Sequence, residues 1–246
     1  MLSHELSQDT ITELRRLGSI QNDYVPCDEV RDELQQKSIV MLVGPSAIGK
    51  STVMETVTRM DGDFAIAGTF TSRDARTDDT GKNYTYIPHT DEGLKLVFDR
   101  IRSREVVQYA IHPVNLTVYG TEISDYPSDV SMLDVMSGAV DGFHKLSFRT
   151  SLVVGLVAQP DMWQQWFDQR MPVGHTQRES CRKEAIMSLS WLLNQPRSDV
   201  MWVENKADDR RTVALNVIQI ARGESTGDSA KRRLGADCLA LAISMR

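Results

Sequence analysis

The sequence predicts an α/β fold in which helices flank a mainly parallel sheet, and three observations lead to this expectation. From Ser38 onward, apolar runs typical of strands alternate with segments of helical periodicity, an order that favours parallel pairing. The run SLVVGLVA is apolar throughout, as expected of a strand that helices cover on both faces. A glycine-containing segment, GPSAIGKST, joins the first strand to the first helix of this pattern.

The predicted core strands are SIVMLVG (38–44), FAIAGTF (64–70), DVSMLDVM (129–136), SLVVGLVA (151–158) and VMWVEN (200–205). The predicted core helices are 50–60, 161–170, 178–195 and 208–223. The third helix ends before Pro196, because proline disfavours a helical conformation at the preceding residue. Gly223 closes the last one, since glycine is the common residue after a helix end.

Other segments flank or interrupt this core, which spans residues 38–222. Residues 1–37 show helical spacing in ITELRRL and CDEVRDELQQK, which predicts a helical N-terminal extension. Residues 71–126 are polar and turn-rich, which indicates an inserted subdomain. Residues 223–246 form a C-terminal tail, in which LGADCLALAISM follows a polar linker as a short helix. We expect both terminal segments to be accessory to the core.

Composition excludes several classes of protein. The 246-residue chain is 41% hydrophobic and 25% charged, as in globular proteins with a real core. Its 28 basic and 34 acidic residues give a net charge of −6, which disfavours nucleic acid as a partner. No apolar stretch approaches the roughly 18 residues of a membrane span, and the first residues do not resemble a signal peptide, so we expect a cytoplasmic protein without membrane partners. Monomer and homodimer both stay open.

The segment GPSAIGKST has the spacing and the strand-before, helix-after context of a phosphate-binding loop. Its glycines let backbone N–H groups converge on an anion, and the helix N-terminus adds partial positive charge. Lys50 can bridge phosphates, and the Ser51 hydroxyl can bind Mg²⁺. A plain glycine turn would explain Gly44 and Gly49 but not Lys50 and Ser51 beside them.

The segment TSRDARTDDTGKNYTYI adds a second candidate for phosphate binding. Arg73 and Arg76 could grip one phosphate, because guanidinium groups recognise phosphate oxygens bidentately. The Tyr84 hydroxyl could add a contact. Taken alone, two arginines in a polar loop are more often solvated surface.

Together these segments resemble the guanylate kinase family, whose phosphate loop reads roughly GPSGxGK[ST] and whose nucleotide-binding subdomain reads TxRxPRxGExxGxxYxF before a YYG[TS] element. GPSAIGKST, TSRDARTDDTGKNYTYI and VYGT occur here in that order, and the resemblance covers about residues 38–222. It implies a P-loop kinase core with an inserted monophosphate-binding subdomain and a helical lid at about 166–182. It also implies a phosphotransferase that uses ATP and Mg²⁺.

The resemblance assigns roles to residues by position. The ATP-binding residues would be Gly44, Pro45, Ser46, Ala47, Ile48, Gly49, Lys50, Ser51 and Thr52, with Asn205 of VENKADD near the adenine. The acceptor-binding residues would be Thr69, Arg73, Arg76, Tyr84 and Tyr119 at the 5′-phosphate, with Gln108, Gly120, Thr121 and Asp134 towards the base. Lys50 and the lid arginines Arg170 and Arg182 would stabilise the transferring charge, and Ser51 would hold the metal ion.

Several departures mark the chain as a divergent member. Ala75 stands where the family usually has proline, and the loop after Arg76 is one residue shorter. Gln108 stands where a glutamate normally receives the N–H donors of guanine, and Asp134 is a single acid where the family has two. Trp166 replaces the first of two lid arginines. These changes weaken the expectation for the base and for charge neutralisation.

The sequence therefore predicts an ATP-dependent kinase that converts GMP or dGMP into GDP or dGDP. Two alternatives stay open. The first is a kinase of another acceptor, either another nucleotide or a ribose bisphosphate, which Gln108 and the missing acid favour. The second is a non-catalytic guanylate kinase-like binding module, against which the intact GKST argues.

Overall fold

The computed structural model describes residues 6–75, 84–112, 115–196 and 198–245. These residues form two compact units, each named here after its sheet. The five-strand unit comprises the described residues within 39–65, 130–140 and 150–246. The four-strand unit comprises those within 1–38, 66–129 and 141–149.

The strands are β1 (Ser38–Val43), β2 (Phe64–Ile66), β3 (Thr69–Thr71), β4 (Tyr84–Tyr86), β5 (Gln108–Ile111), β6 (Val118–Thr121), β7 (Val130–Asp134), β8 (Thr150–Val157) and β9 (Met201–Glu204). The α-helices are α1 (Gln8–Ile20), α2 (Asp28–Leu34), α3 (Lys50–Met60), α4 (Asp91–Arg102), α5 (Val140–His144), α6 (Pro160–Arg170), α7 (Arg178–Asn194), α8 (Arg210–Ala221) and α9 (Arg232–Ser244).

The first sheet is mainly parallel and has the strand order β2-β7-β1-β8-β9. Strand β1 is buried along its whole length, and β8 pairs with β9 in parallel. Helices α3 and α8 pack together, as do α7 and α9, and they supply the covering layers that a buried parallel sheet requires. The predicted α/β fold with a mainly parallel, helix-flanked sheet is confirmed.

One predicted core strand is wrong. FAIAGTF was expected to be a single strand over 64–70, but the structure divides it into β2 of the first sheet and β3 of the second. At the division, the backbone N–H of Gly68 donates to the carbonyl oxygen of Asp125 at 2.9 Å. A Cβ at Gly68 would lie 2.3 Å from a carboxylate oxygen of Asp125, so only glycine allows this approach. The other predicted core elements lie within two residues of their predicted bounds.

The second sheet has the order β4-β3-β6-β5. Strand β6 pairs antiparallel with both β3 and β5, and β4 pairs parallel with β3. Helices α1 and α4 pack their apolar side chains with this sheet in one buried cluster, which includes Leu14, Leu17, Phe98 and Tyr109. The Tyr109 hydroxyl also donates to the carbonyl oxygen of Leu17 at 3.1 Å. The burial of Leu14 and Leu17 argues against the accessory role expected for the N-terminal segment.

The C-terminal helix α9 packs on α6, α7 and β8, and it buries Cys238 and Ala242. Gly235 of this helix approaches the Trp202 ring so closely that a Cβ there would lie 2.8 Å from it. This packing argues against an accessory role for the C-terminal segment as well. None of the helices within the described ranges has the length and apolar character that crossing a membrane would demand.

Candidate functional site

The phosphate loop, residues 44–52, connects β1 to α3 and has a backbone that requires its glycines. Gly49 caps α3 with a φ of +90°, in the left-handed region that glycine adopts without strain. A Cβ at Gly49 would lie 2.6 Å from the Asn205 side-chain nitrogen, and one at Gly44 would lie 2.5 Å from the carbonyl oxygen of Leu156. The loop is therefore built in close contact with β8 and with the residue that follows β9.

Two buried side chains hold the loop from outside it. The Trp163 indole N–H donates to the carbonyl oxygen of Ser46 at 2.9 Å. The Asn205 side-chain amide donates to the carbonyl oxygen of Ile48 at 2.7 Å. Because these donors satisfy outward-facing carbonyl groups, the loop is preorganised for a ligand on its N–H side. Trp163 is fully buried.

Ala47 occupies a strained position in the same loop. Its φ is +65°, and a left-handed conformation costs a residue with a Cβ about 1–2 kcal/mol. The family pattern has glycine at this place. Ala47 therefore adopts a left-handed backbone conformation that glycine would adopt without strain.

Lys50, the first residue of α3, lies inside the loop. Its ammonium nitrogen is 2.7 Å from the carbonyl oxygen of Gly44 and 3.6 Å from a carboxylate oxygen of Asp134. The Lys50 side chain is 11% exposed, whereas Ser51, the next residue of the helix, is exposed. A held ammonium group and an accessible hydroxyl at a helix N-terminus are suited to phosphate and its metal ion.

Asp134 belongs with Lys50 in this structure. The sequence analysis grouped Asp134 with the acceptor's base, but it ends β7, which lies beside β1 in the sheet. The carboxyl ends of neighbouring parallel strands meet at one edge, so Asp134 reaches the loop that follows β1. Partial burial raises the pKa of the Asp134 carboxyl and the charge of Glu184 adds to the rise, while Lys50 and Arg170 oppose it.

Glu184 of α7 also contacts the loop, and the sequence analysis missed it. The Ser46 hydroxyl donates to one carboxylate oxygen of Glu184, and the Ser188 hydroxyl donates to the other at 3.0 Å. Ser188 is buried, so the Glu184 carboxylate is fixed from both sides. No local sequence signal marks Glu184, because a glutamate in a polar helix is commonplace.

A cavity of about 200 Å³ opens beside the loop. Its lining residues are Ala47, Gly49, Thr52, Val53, Trp166, Asn205, Ala207 and Arg210. Asn205, expected near the adenine, thus lines a cavity next to the loop while its amide holds Ile48. Arg210, at the start of α8, was not singled out from the sequence.

The two expected lid arginines differ in their surroundings. Arg170 ends α6, is exposed, and its charge lowers the pKa of Asp134. Arg182 instead forms a bidentate pair with Glu179, at 2.8 and 2.9 Å, and donates to the carbonyl oxygen of Ala242 at 3.1 Å. The structure therefore brings Arg170 into the electrostatic field of Asp134 and ties Arg182 to α9.

The acceptor candidates of the four-strand unit share one face of their sheet. Side chains alternate along a strand, and the pairing places Thr69 opposite Tyr84, Thr71 opposite Tyr119, and Gln108 opposite Thr121. The opposite face carries Phe70, Tyr109, Ile111 and Val118, all members of the buried cluster with α1 and α4. Thr69, Tyr84, Gln108, Tyr119 and Thr121 therefore project together, away from that cluster.

Arg73 follows β3 and stacks on the aromatic rings of this face. Its guanidinium carbon lies 4.7 Å from the ring centre of Tyr84 and 5.7 Å from that of Tyr86. Tyr86 was missed, although strand alternation from Tyr84 would have found it. Arg76 lies outside the described residues.

Gln108 and Thr121 form the other end of the face. The Gln108 amide nitrogen packs so closely on Gly142 that a Cβ there would lie 2.4 Å from it. Thr121 is buried, and its hydroxyl accepts a hydrogen bond from the Tyr126 hydroxyl at 2.9 Å. Gly120, on the opposite face, makes room for the ring of Phe70. A fixed amide and a fixed hydroxyl can discriminate among ligands by hydrogen bonding.

No group of three or more His, Cys, Asp and Glu side chains in the described ranges could hold a metal ion by itself. Ser51 and Asp134 supply the hydroxyl and carboxylate oxygens that Mg²⁺ takes when it binds together with phosphates. The donor set at the loop therefore fits a metal that arrives with a nucleotide.

Comparisons with known proteins identify the fold. No protein-family model matches the sequence, and no curated protein matches it. A guanylate kinase from Anaplasma phagocytophilum is similar in structure, with a TM-score of 0.51 and 15% identity over 79% of this chain and 89% of that chain.

Two other solved structures are more distant. A sulfotransferase from Alicyclobacillus acidocaldarius has a TM-score of 0.41 and 14% identity over 85% of this chain and 97% of that chain. An LAO/AO transport system kinase has a TM-score of 0.31 and 13% identity over 97% of this chain and 82% of that chain. The likeness to the guanylate kinase structure, together with the phosphate loop, shows that the chain has a P-loop NTPase-like fold.

Proposed function

We propose that the chain is an ATP-dependent nucleoside monophosphate kinase of the guanylate kinase type. It transfers the γ-phosphoryl group of ATP to GMP or dGMP and forms GDP or dGDP. The observation that carries the proposal is the phosphate loop. Lys50, at the N-terminus of α3, has its ammonium nitrogen 2.7 Å from the carbonyl oxygen of Gly44. A largely buried, preorganised lysine in a glycine loop is the arrangement that phosphoryl transfer uses.

On the donor side, the loop N–H groups and the N-terminus of α3 bind the phosphates of ATP, and Lys50 stabilises the charge that spreads over the transferring group. The exposed Ser51 hydroxyl and the Asp134 carboxylate would hold Mg²⁺, which would supply positive charge to neutralise the phosphates. Asn205 and the cavity beside it accept the adenine. Arg170 adds positive charge near Asp134. Arg182 would contact the transferring group only after its hydrogen bonds to Glu179 and to the carbonyl oxygen of Ala242 break.

On the acceptor side, Arg73 binds the 5′-phosphate with the hydroxyls of Tyr84 and Tyr119, and with Thr69 on the same face. The guanidinium group is oriented by stacking on two tyrosine rings, and one of its N–H groups donates to the carbonyl oxygen of Asp74 at 2.8 Å. Arg76 completes the phosphate grip in this proposal. No general base is required, because the acceptor phosphate is already anionic.

The base of the acceptor meets Gln108 and Thr121. A glutamine offers one carbonyl acceptor for a guanine N–H group, without the charge assistance of a carboxylate. This favours guanine less strongly than the family's glutamate would.

A second candidate keeps the chemistry and changes the acceptor to another nucleotide or a ribose bisphosphate. It is favoured by Gln108, which stands where the family has a glutamate, and by the pairing of Asp134 with Lys50 at 3.6 Å. The non-catalytic binding module is disfavoured by the same Lys50, since a protein that only binds partners has no need of it.

The test is a panel of acceptors with ATP and Mg²⁺: GMP, dGMP, AMP, IMP, CMP and ribose 1,5-bisphosphate, with ADP release as the measurement. The highest kcat/KM for GMP or dGMP supports the proposal, whereas preference for another acceptor supports the second candidate. We expect Lys50→Ala to lower transfer by about 10²-fold or more while the protein stays folded. Lys183→Ala, at an exposed lysine of α7, is the matched control and should retain activity. Near-normal transfer by Lys50→Ala would refute the catalytic role proposed for Lys50, and absence of transfer to every acceptor by the wild-type chain would refute the enzymatic assignment.

A further inference from the structure

Two carboxylates, rather than one, contact the phosphate loop. Asp134 lies 3.6 Å from the Lys50 ammonium group, and Glu184 accepts a hydrogen bond from the Ser46 hydroxyl. Asp134 has the position of a metal-binding acid, at the end of the strand beside β1. Glu184 comes from α7, and the proposed phosphoryl transfer gives it no role.

The carboxylate of Glu184 is held in place. Its second oxygen accepts from the buried Ser188 hydroxyl at 3.0 Å, one helical turn along α7. The carboxylates of Glu184 and Asp134 both contact residues of the loop that contains the Lys50 ammonium group.

This arrangement of charge bears on what the loop can bind. A nucleoside triphosphate is polyanionic, and a phosphate loop normally attracts it with lysine and the helix N-terminus. Here the Glu184 carboxylate of α7 is hydrogen-bonded to Ser46 of the loop, and its charge would repel a phosphate that arrives there without a counter-charge. This repulsion would be smaller for a nucleotide bound with a divalent cation, because the positive charge of the cation would offset the negative charge of the phosphates.

We propose that Glu184 is a specificity-determining residue that makes nucleotide binding by this loop depend on a divalent cation. The inference rests on the proposed nucleotide-binding function and deepens it. Metal-free nucleotide is rejected by the loop, and only the metal complex, which is competent for transfer, is accepted.

The experiment measures the Kd of an ATP analogue with an imido link between the β- and γ-phosphorus atoms, by calorimetry, in Mg²⁺ and in EDTA. The wild-type chain binds the analogue much more weakly in EDTA. Glu184→Gln keeps the shape of the side chain and removes its charge. We expect it to tighten binding in EDTA about tenfold and to change binding in Mg²⁺ by less than about threefold.

Two further variants separate charge from structure. Ser46→Ala removes the hydrogen bond to Glu184 but keeps the carboxylate on Ser188, so binding in EDTA should stay weak. Glu224→Gln removes an exposed acid elsewhere in the same unit and should leave both Kd values unchanged.

The proposal is overturned if Glu184→Gln alters both Kd values equally or neither, or if Ser46→Ala tightens binding in EDTA as much as Glu184→Gln does. Absence of wild-type binding in Mg²⁺ as well as in EDTA would instead overturn the nucleotide-binding function itself. Thermal unfolding of each variant checks that the five-strand unit stays folded.

Discussion

The hydrogen bond between Asn205 and the phosphate loop gives the sharpest test of how this chain builds its site. The Asn205 amide donates to the carbonyl oxygen of Ile48 at 2.7 Å, and both residues are buried. Asn205→Ala deletes the donor and leaves that carbonyl group without its partner. The next residue, Gly49, has a φ of +90° and lies against the same amide, where a Cβ would be 2.6 Å from its nitrogen.

The expected effect follows from the burial of the contact. Removing one partner of a buried hydrogen bond costs about 1–3 kcal/mol, because the other partner is left desolvated and unpaired. We expect Asn205→Ala to lower the free energy of unfolding by this amount. If the loop must then be ordered by its ligand, the Kd of the imido analogue of ATP rises by the same free energy, which is about tenfold for each 1.4 kcal/mol.

Urea denaturation and calorimetry with Mg²⁺ measure the two quantities. Asn216→Ala, at an exposed asparagine of α8, is the control and should change neither. A variant that loses stability but binds the analogue as tightly as the wild type would refute the claim that Asn205 preorganises the loop. A variant with unchanged stability would show that the contact with Ile48 contributes nothing.

Three other changes test the remaining parts of the structure. Leu14→Ala should lower the free energy of unfolding by about 2–5 kcal/mol, because this side chain is fully buried. Leu96→Ala, at a side chain that is 68% exposed, should change the free energy of unfolding by less than about 0.5 kcal/mol. Equal losses of stability in the two variants would mean that α1 is not part of the core. Arg73→Ala should raise the KM of the acceptor about tenfold or more and leave that of ATP nearly unchanged, because a charge-assisted phosphate contact is lost; a similar rise for both substrates would contradict the acceptor role. Gln108→Glu should widen the kcat/KM preference for GMP over AMP and IMP by about one to two decades, and an unchanged ratio would show that this side chain does not meet the base.

The sequence predicts the five-strand unit well because its elements carry their own signals. Continuous apolar runs such as SLVVGLVA and amphipathic helices such as α3 depend on local periodicity, and both lie where they were expected. The prediction of a single strand for FAIAGTF is wrong because its apolar pattern continues without a break, whereas the chain passes from the first sheet to the second at Gly68. That change depends on Asp125, which is distant in sequence.

The phosphate loop shows the same division between local and distant information. Gly44, Gly49, Lys50 and Ser51 form a contiguous motif and could be predicted as a group. The side chains that hold the loop could not be found in this way, because Trp163 and Glu184 contact Ser46 across 117 and 138 residues of sequence. Neither residue type is unusual in a helix, so only the fold reveals their roles.

Strand order explains why Asp134 lies beside Lys50, a contact that the sequence analysis did not anticipate. The motif places Asp134 at the end of a core strand, but only the order β2-β7-β1 puts that strand beside the one that precedes the loop.

The sheet face that carries the acceptor candidates has Gln108 and Thr121 as the polar groups expected to meet a base. Both are uncharged, and the Thr121 hydroxyl already accepts a hydrogen bond from Tyr126. Discrimination among purines would then depend on the orientation of one amide, which Gly142 restricts by close contact. A bulkier residue at Gly142 should therefore change the choice of base without touching the phosphate contacts, because it would displace the Gln108 amide while Arg73 keeps its stacking on Tyr84.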